Sequence, residues 1–214
     1  MNRPTRLVST ALAASAALLL TACGSGGGDD SSSDKIEGAG DGGSKASASA
    51  SAKPGGTERP EIKLPAEFRA NFAGWTNSDP KLQAVLDDGK EELRAKYAAI
   101  IEADPNSKAV AFYDAGSSLS TARKWIKGFV ETDDSLIGEI KVYDPKVNVS
   151  GKDAAVFFYC VDERESSTKN RRTKKVTATP DTPESVLQYR ARLTKSEQGV
   201  WQTVSLETVP GGCK

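Results

Sequence analysis

Apolar residues between positions 79 and 131 recur every three or four residues, which is the spacing of amphipathic helices. Asp79-Pro80 is a typical helix start, because Asp caps free amides and Pro suits the first helical position. Asp104-Pro105 should end this helix, since the residue before a proline avoids the helical conformation. The apolar stripe of this first helix consists of Leu82, Val85, Leu86, Leu93, Tyr97, Ile100 and Ile101.

Two more helices are predicted before the pattern changes. Asn106 can cap a short helix that carries Val110, Phe112 and Tyr113. A third helix begins after Gly116, and its apolar face is made of Leu119, Ala122, Trp125, Ile126, Phe129 and Val130.

After the third helix the apolar period falls to about two residues, which is typical of strands. Residues 136–143 and 146–150 form either two strands or one long strand kinked at Asp144-Pro145. A hairpin turn at residues 150–153 then leads into residues 154–162, an apolar strand that we expect at the centre of the sheet.

The last part of the chain continues the strand pattern. Residues 185–195 alternate, with Leu187, Tyr189, Ala191 and Leu193 on one face, and a tight turn ending at Gly199 precedes a final strand over residues 200–209. Helices followed by antiparallel strands predict an α+β fold, in which the N-terminal helices pack on one face of a curved antiparallel sheet.

The first 23 residues have the features of a secretory signal peptide. Arg3 and Arg6 precede an apolar run over residues 7–20, which is too short to span a membrane because about 20 residues are needed. Leu20-Thr21-Ala22-Cys23 resembles the lipobox of bacterial lipoproteins. That resemblance implies cleavage between Ala22 and Cys23, removal of residues 1–22, and a diacylglyceryl group on the Cys23 sulfur. The alternative is an ordinary signal peptide in which Cys23 occurs by chance.

Residues 23–59 are predicted to be a lipidated cysteine followed by a disordered spacer. Ten of the 36 residues after Cys23 are Gly and eight are Ser, and Ile36 is their one large apolar residue. Such a composition cannot bury enough apolar surface to offset the entropy lost on ordering. All the Trp, Phe and Tyr residues lie in residues 60–214, which we expect to form one domain. The expected location is the extracytoplasmic face of the cell membrane.

Charge and composition exclude several classes of function. The 29 basic and 29 acidic side chains cancel, which argues against a nucleic-acid partner. The chain has no His, so imidazole zinc sites and His-dependent nucleophilic catalysis are excluded. No glycine-rich phosphate loop and no calcium-loop spacing occurs, and neither a metal nor a cofactor is expected.

Two cysteines remain once Cys23 is lipidated. Outside the membrane, Cys160 and Cys213 are expected to form a disulfide that joins the C-terminal tail to a central strand. A redox-active pair is the alternative, but the two residues lack the Cys-x-x-Cys spacing.

Several of these features resemble a recurring class of small lipoproteins from high-GC Gram-positive bacteria, whose domain is similar to the nuclear transport factor 2-like (cystatin-like) fold. The resemblance is carried by the strand 156–162 with its Cys160, by Gly199-Val200-Trp201, and by the terminal Cys213. It implies a cone-shaped α+β barrel that is open at one end. It implies no particular activity, because most such lipoproteins have none assigned.

A basic segment lies in the long connection between residues 163 and 184. It contains five cations, and we consider Lys169, Arg171, Arg172, Lys174 and Lys175 a candidate site for an anionic envelope polymer or for lipid headgroups. The alternative is a solvated, mobile loop whose charge is balanced by acidic residues elsewhere.

We expect core positions for Tyr97, Tyr113, Trp125 and Tyr143, and the lining of a ligand cavity is the alternative. Asp114, Asp162 and Glu163 are the carboxylates nearest to candidate pocket positions, and one of them could act as a base beside a Tyr. No spacing marks such a pair. We therefore expect no catalytic residues, and a binding or interaction module at the cell envelope is the first hypothesis. A cone-fold enzyme that uses a Tyr/carboxylate pair and a structural module that adheres to the cell wall are the alternatives.

Overall fold

The computed structural model describes residues 57–213. The predictions about the signal peptide, Cys23 and most of the spacer lie outside these residues. The helices of the described range are α1 (Pro80–Glu102), α2 (Lys108–Tyr113) and α3 (Gly116–Glu131). The strands are β1 (Phe68–Phe72), β2 (Asp134–Ser150), β3 (Ala154–Asp162), β4 (Ser166–Asn170), β5 (Val176–Ala178), β6 (Val186–Lys195) and β7 (Trp201–Pro210). Within residues 57–213, no helix has the length and apolarity that a membrane-spanning helix requires.

The three predicted helices are present, and side chains cap the N-termini of α1 and α2. The Asp79 carboxylate accepts from the Lys81 amide at 2.8 Å, with Pro80 in the first turn. The helix α1 ends at Ala103, whose φ of 58° is left-handed. The expected cap of α2 was wrong by one residue, because the Ser107 hydroxyl, and not the Asn106 side chain, accepts from the first turn.

The sheet has the strand order β5-β4-β2-β3-β6-β7, and β1 runs parallel to β2 beside it. The strand β3 therefore lies between β2 and β6, as predicted for the apolar segment. Of the two alternatives for residues 136–150, one long strand is correct, and the pairing of β2 with β3 shifts register between Tyr143 and Lys146. The prediction of an α+β fold with helices on one face of a curved antiparallel sheet is confirmed.

Three short strands were not predicted. The strand β1 precedes the first helix, and β4 and β5 form a hairpin inside the long connection that contains the basic segment. At the start of this hairpin the chain passes very close to Gly138 of β2. A Cβ at position 138 would lie 2.4 Å from the Glu165 carbonyl oxygen, and the φ of Gly138 is 92°. Only glycine fits this close approach.

The inner face of the sheet and the helices enclose one apolar core. The helix α1 contacts β2, β7, α2 and α3, so it is the central element of the helical layer. Large side chains that are fully buried include Phe68, Leu93, Tyr97, Tyr113, Ile126, Ile140 and Phe157. The helix passes especially close to β3 at Gly89, where a Cβ would lie 2.5 Å from Cε1 of Phe157.

Cys160 is bonded to Cys213, with their Cα atoms 6.1 Å apart, as predicted. The bond attaches the tail after β7 to β3, across the intervening strand β6. It closes a loop of 53 residues, for which the chain-entropy model gives a stabilisation of about 4 kcal/mol.

Two glycines in helices provide a matched test of the packing of α1 on β3. Gly89→Ala should destabilise the domain by about 1–2 kcal/mol, because overpacking against Phe157 outweighs the higher helix propensity of Ala. Gly128→Ala in α3 should stabilise it by about 0.5–1 kcal/mol, because nothing lies within 4 Å of the added Cβ. Urea unfolding of both variants measures the difference. Equal midpoints for the two variants would contradict the packing of α1 on β3.

Candidate functional site

A cavity of about 380 Å³ lies between α1, α3 and the inner face of the sheet. Most of its wall is apolar. The larger apolar side chains in the wall include Phe68, Trp125, Phe129, Leu136, Ile140 and Leu206. Polar side chains from the β3–β4 turn and from β4 complete the wall. A mainly apolar cavity of this size, with a few polar groups, suits a small organic molecule.

Tyr97 and Glu163 bring a phenol and a carboxylate together in the cavity wall. The Tyr97 hydroxyl lies 3.4 Å from Oε1 of Glu163, to which it can donate a hydrogen bond. Burial raises the pKa of the Glu163 carboxyl, and the Tyr97 hydrogen bond opposes this shift only in part. Burial also raises the pKa of the Tyr97 phenol, which therefore stays protonated and able to donate. Tyr189 lies on the same wall and stacks on Tyr159 with ring centroids 5.0 Å apart.

A cluster of buried charges lies beside the cavity. Lys96 Nζ contacts the carboxylate of Glu92, one turn earlier in α1, and lies 3.1 Å from Oδ1 of Asp114. The Ser118 hydroxyl donates to the same Asp114 oxygen at 2.5 Å. All three charged side chains are at most 3% exposed. We call Glu92, Lys96 and Asp114 the buried triad.

The buried triad contains two carboxyl groups but one ammonium group. Burial raises the pKa of Glu92, and the negative charge of Asp114 acts in the same direction, whereas Lys96 opposes the shift. A proton kept on Glu92 makes the triad neutral, which lowers the cost of burying it. Lys96 and Ser118 also line the cavity, so one member of the triad, Lys96, lies in its wall.

The structure separates the residues that the sequence marked as candidates. Tyr97 and Trp125 line the cavity, whereas Tyr113 and Tyr143 are outside its wall. Tyr113 and Asp114 are neighbours in the chain, but their side chains have different contacts. Tyr113 lies near Arg59 and Asp88, and Asp114 belongs to the buried triad.

Of the two carboxylates at the end of β3, only Glu163 faces the cavity. Asp162 forms a salt bridge of 2.7 Å with Arg164, and its hydrogen bonds from Arg164 lower the pKa of the Asp162 carboxyl. The side chains of Asp162 and Glu163 therefore differ in surroundings although they are adjacent in sequence.

The basic segment forms the end of the β4–β5 hairpin, and most of its cations have partners in the chain. Lys169 lies 3.3 Å from the Glu67 carboxylate. The guanidinium of Arg171 donates to the carbonyl groups of Ile100 and Asp134 and so attaches the hairpin to α1 and β2. Lys174 donates to the Arg171 carbonyl. The two remaining cations, Arg172 and Lys175, are exposed.

The beginning of the described chain is attached to a different part of the domain. Arg59 donates to the buried Asp88 carboxylate, which also accepts from the Trp201 amide at 2.8 Å. The Thr57 hydroxyl donates to the Gln198 carbonyl at 2.7 Å, in the turn between β6 and β7. Asp88 precedes Lys96 by eight residues, or about 12 Å along the helix.

No group of three or more Cys, Asp and Glu side chains that could hold a metal ion occurs within residues 57–213. No family model matches the chain, and no curated protein matches its sequence. Solved structures do match in shape. The intermembrane space region of the chloroplast protein ARC6 is 10% identical and has a TM-score of 0.44, over 63% of this chain and 99% of that one.

Two bacterial structures have similar sequence identities and TM-scores. A ketosteroid isomerase-like protein from Erwinia carotovora atroseptica is 18% identical, with a TM-score of 0.42 over 61% of this chain and 95% of that one. A nuclear transport factor 2-like superfamily protein from Salmonella enterica serovar Typhimurium is 14% identical, with a TM-score of 0.40 over 58% and 89%. Likenesses at this level of identity and TM-score say nothing about family or activity.

The buried triad predicts a characteristic pH dependence of stability. Because the pKa of Glu92 is higher in the folded than in the unfolded chain, its contribution to stability is present at low pH and is lost as pH rises. Between about pH 5 and pH 8, the wild type should therefore lose unfolding free energy that Glu92→Gln does not lose. Urea unfolding across this range measures the difference. The exposed Glu131→Gln is the control and should follow the wild-type profile, and parallel profiles for all three proteins would contradict the prediction.

Proposed function

We propose that this protein is a membrane-anchored binding protein whose domain encloses a small, largely apolar molecule between its helices and its sheet. The observation that carries the proposal is the cavity of about 380 Å³, with Tyr97 and Glu163 placed together in its wall. The apolar wall supplies affinity through the hydrophobic effect, and the few polar groups orient the ligand.

The location of this binding protein is part of the proposal. The lipobox-like sequence that ends at Cys23 supports a lipid anchor on the extracytoplasmic face of the cell membrane, because two acyl chains suffice for stable anchoring. The Gly- and Ser-rich composition after Cys23 supports a spacer between that anchor and the domain.

A proton-transfer enzyme is the second candidate, and one observation favours it. The Glu163 carboxyl has a raised pKa, which suits a general base. The Tyr97 hydroxyl, 3.4 Å away, supplies a hydrogen-bond donor beside it. The wall-adhering alternative has less support, because Lys169, Arg171 and Lys174 already have partners within the chain.

Filling the cavity should abolish binding of an apolar probe. Leu206 lies in the cavity wall, whereas its neighbour Ser205 is exposed and points to the opposite face of β7. Leu206→Trp should weaken binding of N-phenyl-1-naphthylamine, a neutral probe that fluoresces in apolar sites, by about tenfold or more. Ser205→Trp is the matched control and should bind the probe like the wild type. An equal effect of the two substitutions, or no probe binding to the wild type, would exclude the cavity as a binding site.

The lipid anchor is tested separately. Cys23→Ala should move the protein from the membrane fraction into the medium, because the acceptor of the diacylglyceryl group is lost. Immunoblotting of the two fractions measures this, and Cys213→Ala, which leaves Cys23 in place, is the control. Retention of the Cys23→Ala protein in the membrane fraction would contradict the proposed anchor.

A further inference from the structure

The ionisable groups of the cavity wall are unequally paired. The ammonium of Lys96 contacts the carboxyl groups of Glu92 and Asp114. Its positive charge is therefore already compensated within the protein and is not available to a ligand. Glu163 forms no salt bridge with any Lys or Arg among residues 57–213, and its side-chain hydrogen bond comes from neutral Tyr97. The wall therefore presents an unmatched carboxylate and no unmatched cation.

Aromatic rings line the cavity beside Tyr97, the hydrogen-bond donor to Glu163. Phe68 and Tyr97 have ring centroids 5.1 Å apart, and Tyr97 and Trp125 have theirs 6.0 Å apart. These three rings and Tyr189 all belong to the wall that contains Glu163. The negative face of an aromatic ring attracts cations, and a group of such rings is the usual means of binding an ammonium group with little water.

We propose that the ligand of this cavity is an organic cation, an amine or quaternary ammonium compound with an apolar body. This inference rests on the proposed binding function and specifies its ligand class. The cationic group lies against Glu163 and the rings of Tyr97 and Trp125, and the apolar body lies along Ile140 and Leu206. The charge of the ligand compensates the carboxylate that the protein leaves without a cation.

An anionic ligand fits this wall less well. The one ammonium in the wall belongs to a triad with two carboxyl groups, and Glu163 adds a further negative group. A carboxylate or phosphate placed here would meet Glu163 and an ammonium that Glu92 and Asp114 already compensate, in a partly closed space where repulsion between like charges is strong.

The test uses a pair of probes with the same shape and different charge, benzyltrimethylammonium and its neutral carbon analogue neopentylbenzene. Each displaces bound N-phenyl-1-naphthylamine from the folded domain, and the concentration for half displacement is measured. The cation should bind the wild type about tenfold more tightly than the neutral analogue does. Glu163→Gln should remove most of this preference, because it weakens binding of the cation much more than binding of neopentylbenzene. Continued binding of neopentylbenzene shows that the variant is folded.

Two further variants complete the design. Asp162→Asn changes the adjacent carboxylate, which faces Arg164 and not the cavity, and should keep the full preference for the cation. Trp125→Leu should reduce binding of the cation more than binding of the neutral analogue, because it removes a ring face. If N-phenyl-1-naphthylamine binds but the two probes compete equally, the ligand is not a cation and the binding function stands. If N-phenyl-1-naphthylamine does not bind at all, the proposed function itself is wrong.

Discussion

The contact of Lys96 with Glu92 and Asp114 is the constraint on which the helical layer depends. It joins the middle of α1 to the segment between α2 and α3, and Ser118 extends it to the first turn of α3. Burying these groups is costly, but removing one partner costs more, because it leaves an uncompensated charge without water. These contacts fix how α1 packs against the segment between α2 and α3, although Oδ2 of Asp114 is buried without a hydrogen-bond partner. The cavity is the space left between these helices and the sheet.

Periodicity in the sequence was sufficient to predict the regular elements. The helices α1 and α3 and the strands β2, β3, β6 and β7 have long apolar patterns with clear ends, and they were found within a few residues. The short strands β4 and β5 were missed because residues 166–178 contain one large apolar side chain, Val176, and it is exposed. Backbone pairing with neighbouring strands, which leaves no side-chain pattern, determines such strands.

Less of the candidate site than of the fold could be predicted from the sequence. Tyr97 and Glu163 are 66 residues apart, and only the packing of α1 over the end of β3 brings them together. The sequence does contain a signal for the buried triad. Glu92 and Lys96 are four residues apart on α1, directly beside Leu93 and Tyr97 of its apolar stripe, so they occupy the buried side of the helix. The pairing of Cys160 with Cys213 was predictable because only two cysteines follow Cys23.

The attachment of Arg59 to Asp88 determines where mechanical load enters the domain. A force applied to the chain before residue 57 passes through Arg59 and Thr57 into the first half of α1 and the β6–β7 turn. Neither Arg59 nor Thr57 lines the cavity, but Lys96 and Tyr97 of the same helix α1 do. A load taken up at Asp88 therefore reaches the cavity wall through the roughly two turns of α1 that separate Asp88 from Lys96.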